Sequence, residues 1–479
     1  MPKVPDAHLL FGNFYDYGAK NYYEHALDMK KKYPDLDICR FQGLFGSDVV
    51  TCLSAEAHSQ VLQSLVYKLP KPDVALAFKE IIGNGVVFAE GETHVHMRKM
   101  LSPAFSYTYV KRFVPIFMEK TLKVMDLFQQ NVESGKPVFQ VAQLFSRLTL
   151  DAIGAAAFGV ELHAIEDENN VLVRAYEAIE NSGADALQFN LFALLPGWKY
   201  IPTEFNNNIR RSQKIFGAAV KSLIKERITQ ATERRARGEK LFGDGEDEEK
   251  QIGAGKTRDL LTILIDHDAE LDYDVESQIM TFLFAGHETT AGSCSWALLT
   301  LAQHPEVQTK LREEIRAAFP NGPEDIQTAE QIESLRYLNN VTREIFRVNP
   351  PVLNALRQAS EDIDICGTKI QKGTNVQLSM KAMNYDTKLW GPDADEFDPD
   401  RWNGRQADNA FAYLTFLQGP RSCIGRRFAE IEFKCILAGF VGRFEFGEAV
   451  PNQPIHRSFV VTVKPTDGLP LKVGIVDGW

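Results

Sequence analysis

The segment FLQGPRSCIG, from Phe416 to Gly425, is the most informative stretch of the chain. Its only cysteine, Cys423, ends a loop that contains glycine and proline and stands just before a predicted helix. The positive end of a helix dipole and free backbone N–H groups both favour a thiolate at such a position. Gly419 and Gly425 let the backbone lie close to a flat group. Arg421 adds a cation beside that group, and Phe416 adds an aromatic face.

A single thiolate in a glycine-lined loop is unsuited to structural zinc or an iron–sulfur cluster, which need several Cys or His ligands. It suits one axial bond to haem iron. The alternative for Cys423 taken alone is a small core residue that precedes a helix. The chain has six cysteines, and no two are spaced as C-x-x-C. This pattern favours a reducing compartment over a disulfide framework.

Three further motifs lie along the chain: AGHETT from Ala285, EIFR from Glu344 and PDRW from Pro399. The pattern F-x-x-G-x-R-x-C-x-G resembles the haem-binding signature of the cytochrome P450 family. AGHETT resembles the oxygen-activation motif of that family's long central helix. EIFR resembles its E-x-x-R pair, and PDRW resembles the segment that supplies a third member. The resemblance covers nearly the whole chain and is closest to eukaryotic microsomal members, and we expect a fungal one.

The apolar spacing predicts a mainly α chain with a minor β part. The segment Asp274–His304 contains no proline and is followed by Pro305, so it predicts one helix of about 46 Å. A second helical stretch, Thr328–Val348, begins with the capping box of Thr328 and Gln331. A last helix is predicted over Gly425–Phe444. The resemblance implies the cytochrome P450 fold, in which the long central helix lies over haem beside small β regions.

The composition is that of a globular protein and disfavours general nucleic-acid binding, although it leaves room for one basic face. It is 44% hydrophobic and 24% charged, with a formal net charge of −11, which disfavours a grip on nucleic acid. We expect a single domain over residues 1–479, with about 1–70 and 350–380 contributing the β-rich part. No run of eighteen apolar residues and no signal peptide occurs. The resemblance implies a place on the cytosolic face of the endoplasmic reticulum membrane. The N-terminal anchor of such proteins is absent from this sequence, and its removal is left open.

Thr289 and Glu288 are the predicted catalytic residues. A threonine in mid-helix donates readily to the carbonyl four residues earlier, here Ala285, and this loosens the helix. With the adjoining carboxylate of Glu288, the opened turn forms a water-holding proton relay. The alternative is a tolerated threonine on a buried face. His287 and Glu288 also begin a zinc-protease motif, but Ala291 occupies the place of its second histidine.

Glu344 and Arg347 lie three residues apart, so they share one helix face. Flanking apolar side chains predict burial, although a surface ion pair is the alternative. Arg401 of the PDRW segment is predicted to complete the network. Its role is structural, because it holds the cysteine loop in place.

Haem b is the expected cofactor, and its two propionates need cationic or hydrogen-bonding partners. The resemblance implies that Arg98 and Arg357 serve them, with Arg421 as a third candidate. Where family members often carry tryptophan, this chain has His94, whose ring N–H is able to donate. The full set of expected cofactor contacts is Cys423, His94, Arg98, Ala285, Gly286, Arg357, Phe416, Gly419, Arg421 and Gly425.

The substrate contacts follow from the resemblance and predict an apolar, aromatic cavity. Each residue taken singly fits an ordinary core position as well. The expected contacts are Phe78, Phe88, Phe189, Phe192, Phe282, Ala285, Val352 and Phe459.

The resemblance implies a haem-thiolate monooxygenase that activates O₂ and oxygenates an apolar small molecule. The chain has no flavin or nicotinamide fingerprint, so electrons are expected from NADPH through a separate NADPH-cytochrome P450 reductase. The basic residues proposed for docking that partner are Lys99, Arg112, Arg426, Arg427 and Lys434. One alternative is a rearrangement enzyme, a hydroperoxide isomerase or dehydratase that needs no reductase. Another is a non-catalytic haem sensor or carrier. The sequence does not identify the substrate.

Overall fold

The computed structural model describes most of the chain, and all structural statements concern these residues. They are 13, 24–43, 46–72, 79–167, 169–180, 197–236, 260–261, 275–404, 409–452, 455, 457–459, 462–465 and 468–479.

Helices make up most of the described chain, which confirms the mainly α class with a minor β part. The α-helices are α1 Glu24–Lys32, α2 Ala55–Ser59, α3 Lys79–Ile82, α4 Gly91–Leu101, α5 Tyr107–Val110, α6 Val114–Glu133, α7 Val141–Phe158, α8 Val171–Glu180, α9 Glu204–Ala236, α10 Val275–Gln303, α11 Pro305–Ala318, α12 Ala329–Ser334, α13 Arg336–Val348, α14 Met380–Asn384, α15 Thr387–Trp390 and α16 Arg426–Arg443.

The strands form small separate sheets. They are β1 Ile38–Gln42, β2 Asp48–Cys52, β3 Val138–Gln140, β4 Asn354–Gln358, β5 Ile363–Ile365, β6 Thr368–Ile370, β7 Asn375–Ser379, β8 Phe444–Glu448, β9 Arg457–Phe459, β10 Val463–Pro465 and β11 Pro470–Ile475. A four-stranded sheet has the order β1-β2-β7-β4, in which only the β2–β7 pair is parallel. A three-stranded sheet has the order β3-β11-β8, and β5–β6 and β9–β10 form pairs.

The long helix α10 is unbroken, as the absence of proline predicted, and it passes through the interior. Most of its side chains are buried, and it packs against α7, α9 and α16. Close approach to α7 depends on Gly286, because a Cβ there would lie 2.5 Å from Cδ1 of Ile153. The helix α16 packs on the other side against α6 and α11. The core helices therefore surround α10 and fix its position.

The predicted helix over Thr328–Val348 is two helices. The capping box of Thr328 and Gln331 is present and begins α12. Leu335 then adopts an extended conformation, with φ −74° and ψ 102°, and this breaks the run before α13. The last predicted helix is confirmed as α16 to within one residue at each end. Among the described residues, no helix combines the length and apolarity needed to cross a bilayer.

Candidate active site

A tight turn sets the position of Cys423. Its backbone N–H donates to the carbonyl of Phe416 at 2.8 Å, which closes the loop predicted from the sequence. Leu417 and Gly419 have positive φ values of 54° and 74° inside this loop. Helix α16 begins at Arg426, three residues after the cysteine. The side chain of Cys423 is accessible and forms no disulfide.

The thiol of Cys423 does not ionise as easily as the sequence suggested. Although one side of it is accessible, it lies deep among protein atoms, and this burial raises its pKa. A hydrogen bond from the backbone of Gly425 and the charge of Arg98 oppose the rise without cancelling it. The helix terminus alone therefore does not produce a thiolate. A bound metal ion would supply what is missing, because coordination deprotonates a thiol.

The glycines of the loop have different functions. A Cβ on Gly419 would collide with the backbone carbonyl of Leu62, so this glycine is required for packing within the protein. A Cβ on Gly425 would meet only the Sγ of Cys423, 4.0 Å away. The face of the loop beside Sγ is therefore open at Gly425, and a flat group fits there. At Gly286, the close packing of α7 leaves no room for a side chain.

An accessible strip interrupts the buried surface of α10. Ala285 is exposed in mid-helix, and Gly286 and Thr289 are half-buried. The hydroxyl of Thr289 donates to the carbonyl of Ala285 at 2.9 Å, which is the bond expected from the sequence. An exposed alanine in an otherwise buried helix indicates an open space over this turn. Thr289 borders that space.

Glu288 has a partner that the sequence did not indicate. It is 8% exposed, and its Oε1 accepts a hydrogen bond from the hydroxyl of Thr462 at 2.5 Å. Thr462 precedes β10 and is itself buried. In this structure Glu288 therefore contacts the β9–β10 region, and its place in a relay with Thr289 stays a prediction.

The predicted propionate ligands belong to one cluster of cations around His94. Arg98, Arg357 and Arg421 all act electrostatically on the His94 ring, and so does Lys71. Burial and these neighbouring charges lower the pKa of His94 to about 4. Its ring is therefore neutral at physiological pH, and its Nδ1 is buried without a hydrogen-bond partner.

Each arginine of this cluster already contacts protein groups. Arg98 donates to the carbonyl and the hydroxyl of Ser422, next to Cys423. Arg357 donates to the carbonyl of Leu356 at 2.7 Å, and burial lowers its pKa to about 10. Arg421 pairs with Glu90 and donates to the carbonyl of Ala89.

The charge balance of the cluster fits a ligand with two carboxylates. Lys71, Arg98, Arg357 and Arg421 carry four positive charges, and Glu90 is the one carboxylate that contacts Lys71 and Arg421. Burial and, after it, the neighbouring cations lower the pKa of Lys71 to about 8. Buried charges need partners, so two carboxylates would offset most of the excess. The residues present therefore fit the two propionates of haem.

Glu344, Arg347 and Arg401 lie together in the interior. Glu344 and Arg347 are 0% exposed, and Arg347 donates to both carboxylate oxygens at 2.9 and 2.7 Å. Arg401 donates to Oε1 of Glu344 at 2.9 Å. Trp402, the fourth residue of PDRW, donates to Oε2 at 2.9 Å.

This network is linked to the cysteine loop. The hydroxyl of Thr415, beside Phe416, donates to the carbonyl of Phe346 at 2.7 Å. The rings of Phe346 and Phe416 also meet edge to face, with centroids 5.5 Å apart. Phe346 is the residue before Arg347 on α13, so the network and the loop share a helix. Its role in holding the loop stays a prediction.

The predicted substrate contacts are only partly visible. Phe282 is buried on α10 and packs against Phe105, with centroids 5.2 Å apart. Phe88 is also buried, while Val352 is half-buried. Phe78, Phe189 and Phe192 lie outside the described residues, as does the side chain of Phe459.

One residue of the proposed docking set, Lys434, is buried, and its assignment to a docking surface was wrong. Lys434 is 8% exposed, because it lies on the inward face of α16 near Glu430 and Glu333. Burial lowers its pKa, and it does not contribute to a docking surface. Lys99 and Arg427 are exposed.

Sequence reasoning missed Lys71 of the cation cluster and Glu90, the carboxylate that contacts it. Glu90, His94 and Arg98 are spaced four residues apart around the start of α4, so their shared helix face was readable from the sequence. Lys71 lies in an irregular segment between Pro70 and Pro72. No local pattern marked it, and its place depends on tertiary contacts alone.

Comparison with known proteins identifies the family of this chain. The family model "Cytochrome P450" matches residues 2–471. Cytochrome P450 monooxygenase sphH of Aspergillus fumigatus is 34% identical, over 100% of this chain and 88% of its own length. Cytochrome P450 monooxygenase ALT8 of Alternaria alternata is 32% identical, over 92% of this chain and 83% of its own. FUM15 of Gibberella moniliformis, also a cytochrome P450 monooxygenase, is 31% identical over 86% and 76%.

The chain therefore belongs to the cytochrome P450 family, and its similar proteins are fungal. It is an oxidoreductase of the monooxygenase type. Membership implies a haem-iron cofactor, O₂ and a redox partner.

Proposed function

We propose that this protein is a haem-thiolate monooxygenase that oxygenates an apolar small molecule with electrons from a separate NADPH-dependent reductase. The observation that carries the proposal is the accessible, unpaired Cys423 beside the open face of Gly425. Haem, when bound, supplies the chemistry of O₂ activation, and a cysteine ligand favours cleavage of the O–O bond.

The protein's residues would divide the work as follows. Cys423 holds the iron, and His94, Arg98 and Arg357 bind the propionates. Thr289 belongs to the accessible strip of α10, where its hydroxyl is able to hold a proton at Oγ1. Apolar residues around Phe282 exclude bulk water from the substrate.

The partner and the location follow from family likeness, and we propose them on that ground. The chain would receive electrons from NADPH-cytochrome P450 reductase at the cytosolic face of the endoplasmic reticulum membrane. Exposed Lys99 and Arg427 support an acidic docking partner.

The proposal predicts that turnover depends on a reductase. Haem-loaded protein should oxygenate a substrate found by spin-state change in a panel of apolar compounds, but only with reductase and NADPH present. Product formed from an organic hydroperoxide without reductase would instead favour the rearrangement enzyme. A protein that binds compounds and forms no product in either assay would be a sensor or carrier.

Thr289→Ala is expected to uncouple electron use from oxygenation. Losing the Oγ1 hydroxyl removes the proton donor nearest the open strip, so the product-forming rate should fall by about 10²-fold. NADPH consumption should fall much less, and hydrogen peroxide should account for the difference. Thr300→Ala is a matched control, because Thr300 makes the same backbone bond, to Trp296, farther along α10. Equal coupling in Thr289→Ala and the parent protein would exclude Thr289 from proton delivery.

A further inference from the structure

The mechanism above makes no use of a buried acid on the cysteine helix. Glu432 lies on α16, nine residues after Cys423, and it is 0% exposed. Neither of its carboxylate oxygens has a hydrogen-bond partner of normal geometry among the described residues. An ionised carboxylate in this position would be very costly. Glu432 is therefore best accounted for as a neutral carboxylic acid, which has a proton to donate.

A hydroxyl on α10 lies within polar reach of this acid. Thr290 acts on Glu432 from across the helix interface, and its own proton points to the carbonyl of Gly286 at 3.3 Å. The oxygen of Thr290 thus keeps its lone pairs free to accept. Because the Thr290 proton is already donated to Gly286, Thr290 is able only to accept from Glu432. A protonated Glu432 has a proton to donate, so the two groups form a hydrogen bond if Glu432 is the donor.

No cation among the described neighbours compensates this acid. The titratable groups that sense its charge are the thiols of Cys294 on α10 and Cys435 on α16, and burial raises the pKa of both. Charged residues on α16 and on the helices packed against it have other partners. Among them are Glu344 with Arg347 on α13, Arg312 on α11 with the carbonyls of Val441 and Phe444, Lys120 on α6 with Glu119 and Glu161, Glu288 on α10 with Thr462, and Lys434 on α16 near Glu333.

We propose that Glu432 is a positioning residue, a protonated acid whose O–H donates to Oγ1 of Thr290 and holds α16 in register with α10. Thr290 follows Thr289 directly, and α16 begins three residues after Cys423. One hydrogen bond between the helices therefore helps to set the separation of the thiolate from the accessible strip. The inference rests on the proposed function only in that Cys423 and Thr289 serve the same bound group. Burial raises the pKa of Glu432 well above its usual value, which is consistent with a neutral acid.

Three variants of the haem-loaded protein test this assignment. Glu432→Gln keeps a neutral donor, Glu432→Met keeps the approximate length without one, and Thr290→Val removes the acceptor. In the reduced, carbon-monoxide-treated protein, Glu432→Gln should keep the parent's share of the red-shifted Soret band. Glu432→Met and Thr290→Val should each raise the share of the band without thiolate ligation about fivefold. In the double variant with Glu432→Met and Thr290→Val, the share of the band without thiolate ligation should be no larger than in either single variant.

Thermal unfolding against pH provides a second readout that does not depend on the haem spectrum. An acid with a raised pKa is neutral in the folded state and ionised in the unfolded state, so its contribution to stability is full below the unfolded pKa and is lost as pH rises. Glu432→Gln has no such loss. Its midpoint temperature relative to the parent should therefore increase steadily from about pH 5 to about pH 8.

The outcomes separate this inference from the proposed function. A parent protein without the red-shifted band would contradict the proposed function, while the pH series would still judge Glu432. The inference is wrong if Glu432→Gln is as damaging as Glu432→Met, or if its stability relative to the parent does not change with pH. If Glu432→Met does not fold, Glu432→Gln and Thr290→Val decide the matter by the same measures.

Discussion

Cys423→Ala is expected to abolish the strongly red-shifted Soret band of the reduced, carbon-monoxide-treated protein, and turnover with it. The expected loss is complete because the band depends on sulfur bonded to the iron as an anion. An alanine should also leave the fold intact, since it removes a single sulfur atom whose accessible side faces the open part of the loop. The measurement is a difference spectrum at matched protein concentration, followed by a reductase-driven assay.

His94, in the cation cluster, and His287, on α10, both have buried rings. Among the described residues, no three His, Cys, Asp or Glu side chains converge as a metal site. His287 is buried and its Nδ1 contacts the carbonyl of Leu283 at 2.9 Å. His94 is buried in the cation cluster that we propose for the propionates. A variant without the thiol should therefore lose the band and not shift it to another protein ligand.

Cys435→Ala is the matched control for this experiment. Cys435 lies on α16, is 0% exposed and has a pKa raised by burial, so it is a cysteine of the same helix without access to a ligand. The control should keep both the band and turnover. Oxygenation retained by Cys423→Ala would remove Cys423 from the mechanism. A parent spectrum typical of histidine ligation would refute the site itself.

The fold was predictable where local chemistry determines the chain. Pro305 and the proline-free run before it fixed the bounds of α10, and Thr328 with Gln331 fixed the start of α12. The break at Leu335 was not predictable, because the apolar period continues through it and only packing selects its extended conformation. Glu288 and Thr462 are 174 residues apart in sequence, and no local pattern links them.

In the candidate site, too, local features were predictable from the sequence and features set by tertiary packing were not. The residues of the motifs lie where their spacing suggested, and Thr289 bonds to Ala285 as its position in the helix implied. The helix terminus beside Cys423 was readable from the sequence, while the burial that raises the pKa of its thiol was not. Lys434 was misjudged because its burial was not readable either. A charge in the sequence gives no information on which side of a helix packs inward when the helix is buried on nearly all sides.

Glu344→Gln is expected to destabilise the protein by about 3–5 kcal/mol. The substitution hardly changes the volume, but it leaves Arg347 buried without its counter-charge and Arg401 with only the partly exposed carboxylate of Asp393. Glu344 accepts hydrogen bonds from both arginines, from the Trp402 ring and from the backbone of Asp398. An amide is unable to accept them all, because its nitrogen is a donor. The loss is large against a typical total stability of about 5–15 kcal/mol.

Glu361→Gln is the control for that measurement, and the contrast between the two variants tests the role of the network. Glu361 pairs with Lys68 at 2.7 Å, but both side chains are more than half exposed. The same chemical change should therefore cost about 0–1 kcal/mol. Denaturant unfolding gives both free energies, and the red-shifted Soret band shows whether the cysteine loop keeps its position. If the network holds the loop through Phe346 and Thr415, Glu344→Gln should lose that band at denaturant concentrations where the helices remain folded. Simultaneous loss of the band and of helical structure would show that Glu344 stabilises the whole protein and has no particular effect on the loop.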